Sequence, residues 1–315
     1  MIVSKNIKSE KVSSLSILEL IKEKMKDTTG VIRPYAMIAP ALIIFILFSI
    51  YPICYMIYLS FNEWNLVNPV KTFVQLNNFK EILSDELFIQ VLRNSAVYMA
   101  VTVSVTMILG VLLAVFLNKD TRINKILQSV TFAPHIVSLV SVAFIWKWIM
   151  DSDYGLLNYF LNLLGLNNVD WLYNPKIALF SLAIISIWKG LGYNALIILA
   201  GLKSIPKYIY EAAELDETKP IKVFFKITLP MISPSLFFLT IMNIISSFKV
   251  FETIALVTGG GPMNSTNTLV YYIYEYGFKY NKIGYASAAG VILFGIIGLL
   301  TIVYFKLLSK KVHYR

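Results

Sequence analysis

Six apolar runs, near 35–61, 94–117, 129–150, 177–201, 231–258 and 283–308, make up close to half of this 315-residue chain. Each meets or exceeds the roughly 20 residues that a helix needs to cross the hydrocarbon core of a bilayer. Hydrophobic residues reach 57% and charged ones only 15%, a balance foreign to a soluble protein of this length. The expected fold is therefore an all-α polytopic membrane protein with six transmembrane helices. Between the runs lie a polar stretch at 62–93, a short basic loop at 118–128, an acidic loop at 151–176, a charged island at 202–230 and a glycine-rich loop at 259–282.

Alternate connections face opposite sides, and the positive-inside rule decides which side is which. Placing both termini, the 118–128 loop and the island in the cytoplasm gathers Lys119, Arg122, Lys125, Lys203, Lys207, Lys219, Lys222, Lys226, Lys306, Lys310, Lys311 and Arg315 there. The tail at 1–34 adds Lys5, Lys8, Lys11, Lys22, Lys24, Lys26 and Arg33, while the other side keeps only Lys71, Lys80, Arg93, Lys176, Lys279 and Lys282. Leu15, Leu18, Ile21 and Met25 recur at helical spacing in that tail, which is either a helix lying along the inner membrane surface or a disordered tail.

Several function classes fall away. The formal charge of +10 does not point to nucleic acid, because the basic residues cluster at the ends of apolar runs and not on one stripe. Cys54 is the single cysteine, so neither an intrachain disulfide nor a cysteine metal cluster is expected, and His135 and His313 are too few and too distant for a metal site. No cleavable signal peptide is visible in the polar, basic first 30 residues. Gly259-Gly260-Gly261-Pro262 lacks the Gly-Lys-Ser/Thr of a phosphate-binding loop and reads as a turn, so nucleotide binding by this chain is not expected.

The island reads as two short helices around a polar turn. Pro206 suits a first helical turn, with Ile205, Ile209, Ala212 and Ala213 on one face. Asp216, Glu217 and Thr218 break that pattern; Pro220 restarts it, with Ile221, Phe224, Phe225 and Thr228 at helical spacing. Such a pair can show polar groups to a soluble partner, or be an ordinary loop with a solvated face.

The order Glu211-Ala212-Ala213, Asp216, Phe225 and Ile227-Thr228-Leu229-Pro230 resembles the EAA loop of permease subunits in binding-protein-dependent ABC importers, and the spacing from Glu211 to Pro230 matches. Ser247-Phe248-Lys249-Val250-Phe251, the 259–262 glycine run and Val312-His313-Tyr314 extend the resemblance over residues 30–315. It is nearest to the first of two permeases in carbohydrate importers similar to the maltose and glycerol-3-phosphate systems. The resemblance implies a type I ABC importer (MetI-like) permease fold in a bacterial cell membrane, with Glu211 meeting a basic residue of an ATPase and Ala212 and Ala213 letting the short helix fit closely. Asp216, Glu217, Leu229 and Pro230 belong to the same coupling segment. Glu217 stands where the family usually has Gly, which would permit positive φ, so it is expected to tighten or re-aim the junction.

Ionisable residues within spans are costly and mark candidate functional positions. Here they are His135, Lys147, Lys189, Lys249 and Glu252; Lys147 is near enough to a span end to snorkel, and Glu252 follows Lys249 by three residues on one expected helical face. For Lys189, Lys249 and Glu252 a structural ion pair and a substrate contact stay equally open. Ser186, Gly190 and Tyr193, with Asn194 beside them, and Asn243 with Ser247, could offer hydroxyls, amides and a ring to a sugar, or act as glue between helices. The resemblance favours the sugar path. It further implies a second permease in a pseudo-twofold heterodimer, two ATPase subunits that bind the ATP and magnesium, an extracytoplasmic solute-binding protein, and no catalytic residue or cofactor in this chain. Two other classes stand beside this one: an ion-coupled secondary transporter using Lys249 and Glu252, and, with least support, a membrane-embedded enzyme. The resemblance implies a sugar or oligosaccharide as the substrate, with an acidic saccharide or phosphorylated polyol as the alternative.

Overall fold

The computed structural model describes residues 34, 35 and 37–308. The basic tail apart from Pro34, its expected surface helix and residues 309–315 lie outside them. The chain divides into two compact units between Tyr58 and Leu59. The first holds most of α1, Met37–Ser60, an apolar helix whose side chains are largely exposed. A π-helical turn at Ile46–Ile50 precedes Pro52, whose missing N–H and bulky ring disrupt regular α geometry one turn upstream.

The second unit opens with a hairpin, β1 Asn62–Glu63 paired antiparallel to β2 Thr72–Phe73 in the register Asn62↔Phe73, Glu63↔Thr72. Then come α2 Asn77–Ser84 and α3 Glu86–Leu117. Asp85 starts α3 by accepting the Leu87 N–H at 2.9 Å. At 32 residues α3 is about 48 Å long, more than one bilayer crossing needs. The stretch expected as an external loop at 62–93 thus contains a hairpin, a helix and the first turns of α3.

Thr121 caps α4 Arg122–Ile136, and α5 Leu139–Ile149 follows at a bend of 98°. The single third span expected at 129–150 is therefore two helices. Pro134 has no amide N–H to give the helix, and extended Val137 ends it. Next are α6 Leu156–Leu163, α7 Ala178–Lys203, α8 Lys207–Leu215 and α9 Pro220–Met231. After a 66° bend α10 runs over Ser233–Phe248, then α11 over Glu252–Val257, α12 over Leu269–Tyr274 and α13 over Ile283–Leu308. The fifth span expected at 231–258 is thus interrupted at 249–251, and Lys249 and Glu252 do not share one continuous helix face. Four helices are long and apolar enough to cross a membrane, or six if each bent pair counts as one span.

Tyr98, Leu182, Ile185 and Ile254 are fully buried where α3, α7 and α11 meet α5. Ala114, Leu117, Ile198, Leu202 and Ile232 form a second core at the other end of α3 and α7. Helix α4 comes so near α7 at Gly192 that any Cβ there would strike the Thr131 carbonyl. Only glycine permits that approach. Beyond the spans, Tyr272 and Tyr285 both donate to Asp85 (2.9 and 3.3 Å), joining the start of α3 to α12 and α13. Lys279 is held above the usual lysine range by its hydrogen bond to the Tyr271 hydroxyl at 2.8 Å and by Glu275.

Candidate functional site: a polar cleft and the helices that grip the island

His135, Ser186, Lys189, Gly190, Tyr193, Asn194, Asn243, Ser247, Lys249 and Glu252 line one cleft of about 480 Å³. They reach it from α4, α7, α10, the 249–251 break and the first residue of α11. Tyr98, Thr102 and Thr106 of α3 line it too, with Ser246 and Thr253. Of these, Ser246 stands beside Asn243 and Ser247 in the expected fifth span, while the sequence reading missed Thr253 and the α3 residues, although Tyr98, Thr102 and Thr106 recur every four residues on one helix face.

Polar pairs tie the walls together. The Tyr98 and Ser186 hydroxyls meet at 2.5 Å and those of Thr102 and Ser247 at 2.9 Å. The Asn243 amide donates to Asn194 Oδ1 at 2.6 Å and to the Leu239 carbonyl at 2.7 Å, while Asn194 donates to the Gly190 carbonyl at 2.9 Å. Buried polar groups in a membrane body need such partners. The His135 ring stacks on Tyr193, centroids 4.6 Å apart and planes within 13°, leaving a flat aromatic surface beside hydroxyls and amides.

The three charged side chains differ. Lys189 Nζ donates to the carbonyls of Pro134, His135 and Val137 at 3.1, 3.2 and 2.6 Å, where α4 ends and the bend begins. An ammonium at a helix C-terminus satisfies carbonyls that have no intrahelical partner. The ion pair left open for Lys189 is not what forms among the described residues: its partners are backbone carbonyls, not a carboxylate. Lys249 caps the end of α10 and Glu252 opens α11; both are exposed to the cleft, and among the described residues neither forms an ion pair.

The island forms the two helices α8 and α9, with Pro206 just before the first and Pro220 opening the second. Glu211, Ala212 and Asp216 are exposed and Ala213 is buried. Glu217 is exposed and adopts φ 50°, so the turn keeps the left-handed conformation without a glycine. The Thr218 N–H reaches back to the Ala213 carbonyl at 3.0 Å and the Glu217 N–H to that of Glu214 at 2.9 Å, the paired bonds of a Schellman cap. Of the face expected on α9, Thr228 is buried and Phe224 half-buried, but Ile221 and Phe225 are exposed. A π-helical turn at Phe224–Thr228 shifts the helical register there. Leu229 and Pro230 are half-buried, and Leu229 packs with Ile209 and Tyr210 on the core of Ala114, Leu117, Ile198, Leu202 and Ile232. Tyr210 Oη lies 3.2 Å from Thr228 Oγ1, linking α8 to α9.

The helices that line the cleft thus also clamp the island, α3 and α7 directly and α10 through Leu239. Spanning helices around a polar cleft, joined rigidly to a charged helical pair, define a multi-pass membrane permease. The chain belongs to the family described as binding-protein-dependent transport system inner membrane component, whose model matches residues 106–314. It is 35% identical to the probable ABC transporter permease protein YesP of Bacillus subtilis, over 89% of this chain and 91% of that protein. It is 33% identical to the arabinooligosaccharides transport system permease protein AraP of Halalkalibacterium halodurans, over 85% of each. Its fold matches a chain of a bacterial alginate ABC transporter solved with an alginate pentasaccharide-bound periplasmic protein, at a TM-score of 0.79, 24% identity and coverage of 90% and 96%.

Proposed function

We propose that this chain is one permease half of an ATP-driven importer that passes a sugar or oligosaccharide from an extracytoplasmic binding protein to the cytoplasm. The chain performs no chemistry. Six spans with both termini cytoplasmic put the island on the cytoplasmic side of a bacterial cell membrane, where two ATPase subunits hold the ATP and magnesium. A second permease completes the path as a pseudo-twofold heterodimer.

The observation that carries this reading is the shared set of helices. From Asn194 in the cleft to Leu202 against the island is eight residues of α7, about 12 Å of continuous helix. A displacement of α8 and α9 by a closing ATPase dimer therefore reaches the cleft walls through rigid elements. Glu211, exposed on α8, would meet a basic groove of the ATPase, a contact worth roughly 1.5–3 kcal/mol. Ala213 keeps α8 close to the spans, while Ala212 keeps its outer side low. The saccharide reading rests on the stacked His135 and Tyr193 rings beside hydroxyls and amides, and on the arabinooligosaccharide substrate in one relative's name.

Purification from the native membrane in mild detergent tests the assignment. Wild type should bring down an ATPase and a second six-span permease, and Glu211→Lys should lose the ATPase while keeping the permease. A wild-type chain that emerges alone, even after crosslinking, would sink the importer and leave an ion-coupled transporter as the working reading.

A further inference from the structure

We infer that the cleft selects uncharged saccharides, and that Glu252 is the specificity-determining residue that turns acidic ones away. This rests on the saccharide reading above and narrows it. The titratable groups lining the cleft are Tyr98, His135, Lys189, Tyr193, Lys249 and Glu252. Counted from sequence, two deep lysines in this set favour an anion. The geometry removes one of them.

An ammonium has three protons to donate. At Lys189 three backbone carbonyls accept them, so none is left for a substrate carboxylate or phosphate. The Pro134 and His135 carbonyls belong to the last turn of α4, whose negative end offsets part of the lysine's charge. Lys249 and Glu252 remain, one cation and one carboxylate, both exposed to the cleft and flanking the same three-residue break. Their formal charges cancel. What is left to recognise a ligand is neutral: the hydroxyls of Tyr98, Thr102, Thr106, Ser186 and Ser247 with the Asn194 and Asn243 amides, next to the aromatic stack. A uronate or sugar phosphate would bring its charge into a space with one carboxylate and only one cation free to answer it. Because Glu252 balances the one free cation, a ligand anion gains no net attraction to offset its lost hydration, and it binds more weakly than its neutral counterpart.

The test uses the whole importer, copurified and placed in nanodiscs without its binding protein, so that only the permease pair is probed. Weak binding is read by saturation-transfer NMR across a panel of neutral disaccharides, each matched with its C6-oxidised uronate. Wild type should bind at least one neutral member and its uronate on the order of tenfold more weakly. Glu252→Gln should restore the uronate to near the neutral affinity, whereas Lys249→Met should weaken it further; the partner permease is constant throughout, so the ratio reports this chain. Equal binding of both members by wild type, or a ratio unmoved by Glu252→Gln, overturns the charge filter and leaves the saccharide importer standing. If an intact, ATP-hydrolysing complex binds no saccharide of the panel, the saccharide reading falls and the filter falls with it.

Discussion

The cleft and the island are held by the same helices but are finished differently. In the cleft half of the polar side chains pair within this chain: Tyr98 with Ser186, Thr102 with Ser247, Asn194 with Asn243, Lys189 with three carbonyls. On the island Glu211 and Asp216 face outward together with Tyr208, Leu215, Ile221 and Phe225, all more than half exposed among the hydrophobics. One region is tied together largely by side chains of this chain itself. The other leaves apolar area exposed, which the ATPase of the proposed function would cover.

This contrast can be broken by substitution. Damage to the walls should appear as lost stability of the chain alone, and damage to the island's outer face only when partners are present. The largest effect is expected from Gly192→Val, which drives a side chain into the Thr131 backbone; it should cost about 3 kcal/mol or more and show as aggregation or a collapsed unfolding midpoint in detergent. Asn243→Leu strands the buried Asn194 carbonyl oxygen and should cost about 1–3 kcal/mol, while Asn194→Leu with Asn243→Leu should cost less than the sum of the two single changes. At the small end, Glu217→Gly relieves a left-handed non-glycine residue and should raise stability by up to about 1 kcal/mol. Glu211→Lys, by contrast, should leave the unfolding midpoint of the isolated chain unmoved. A large drop there would mean that the island's outer face is part of this chain's own core.

The apolar runs were legible because helix length and bilayer thickness match. The island was legible through its prolines and the polar turn between them, and polar residues inside apolar runs pointed to the cleft wall on α7 and α10. The breaks were not legible. Apolar composition continues through Val137, the two charges at Lys249 and Glu252 do not by themselves mark a helix end, and hydropathy has no term for backbone direction. That is why Lys249 and Glu252 were placed on one helix face. Tyr98, Thr102 and Thr106 escaped notice because tyrosine and threonine barely alter the mean hydropathy of a long span. The role of Lys189 could not be read at all, since its partners lie more than fifty residues away and are main-chain atoms. The hairpin at 62–73 is too short for any period to register.

The two flanks of α7 would not part with equal ease. Toward α4 it is fastened by three charge-assisted hydrogen bonds and by main-chain contact at Gly192. Toward α10 the cleft is crossed by one close amide pair. Charge-assisted bonds are about twice as strong as neutral ones, so unfastening the first flank costs several times as much as the second. In the proposed import cycle, α4 and α7 would then travel as a single slab, and the seam expected to yield is the one sealed by Asn194 and Asn243.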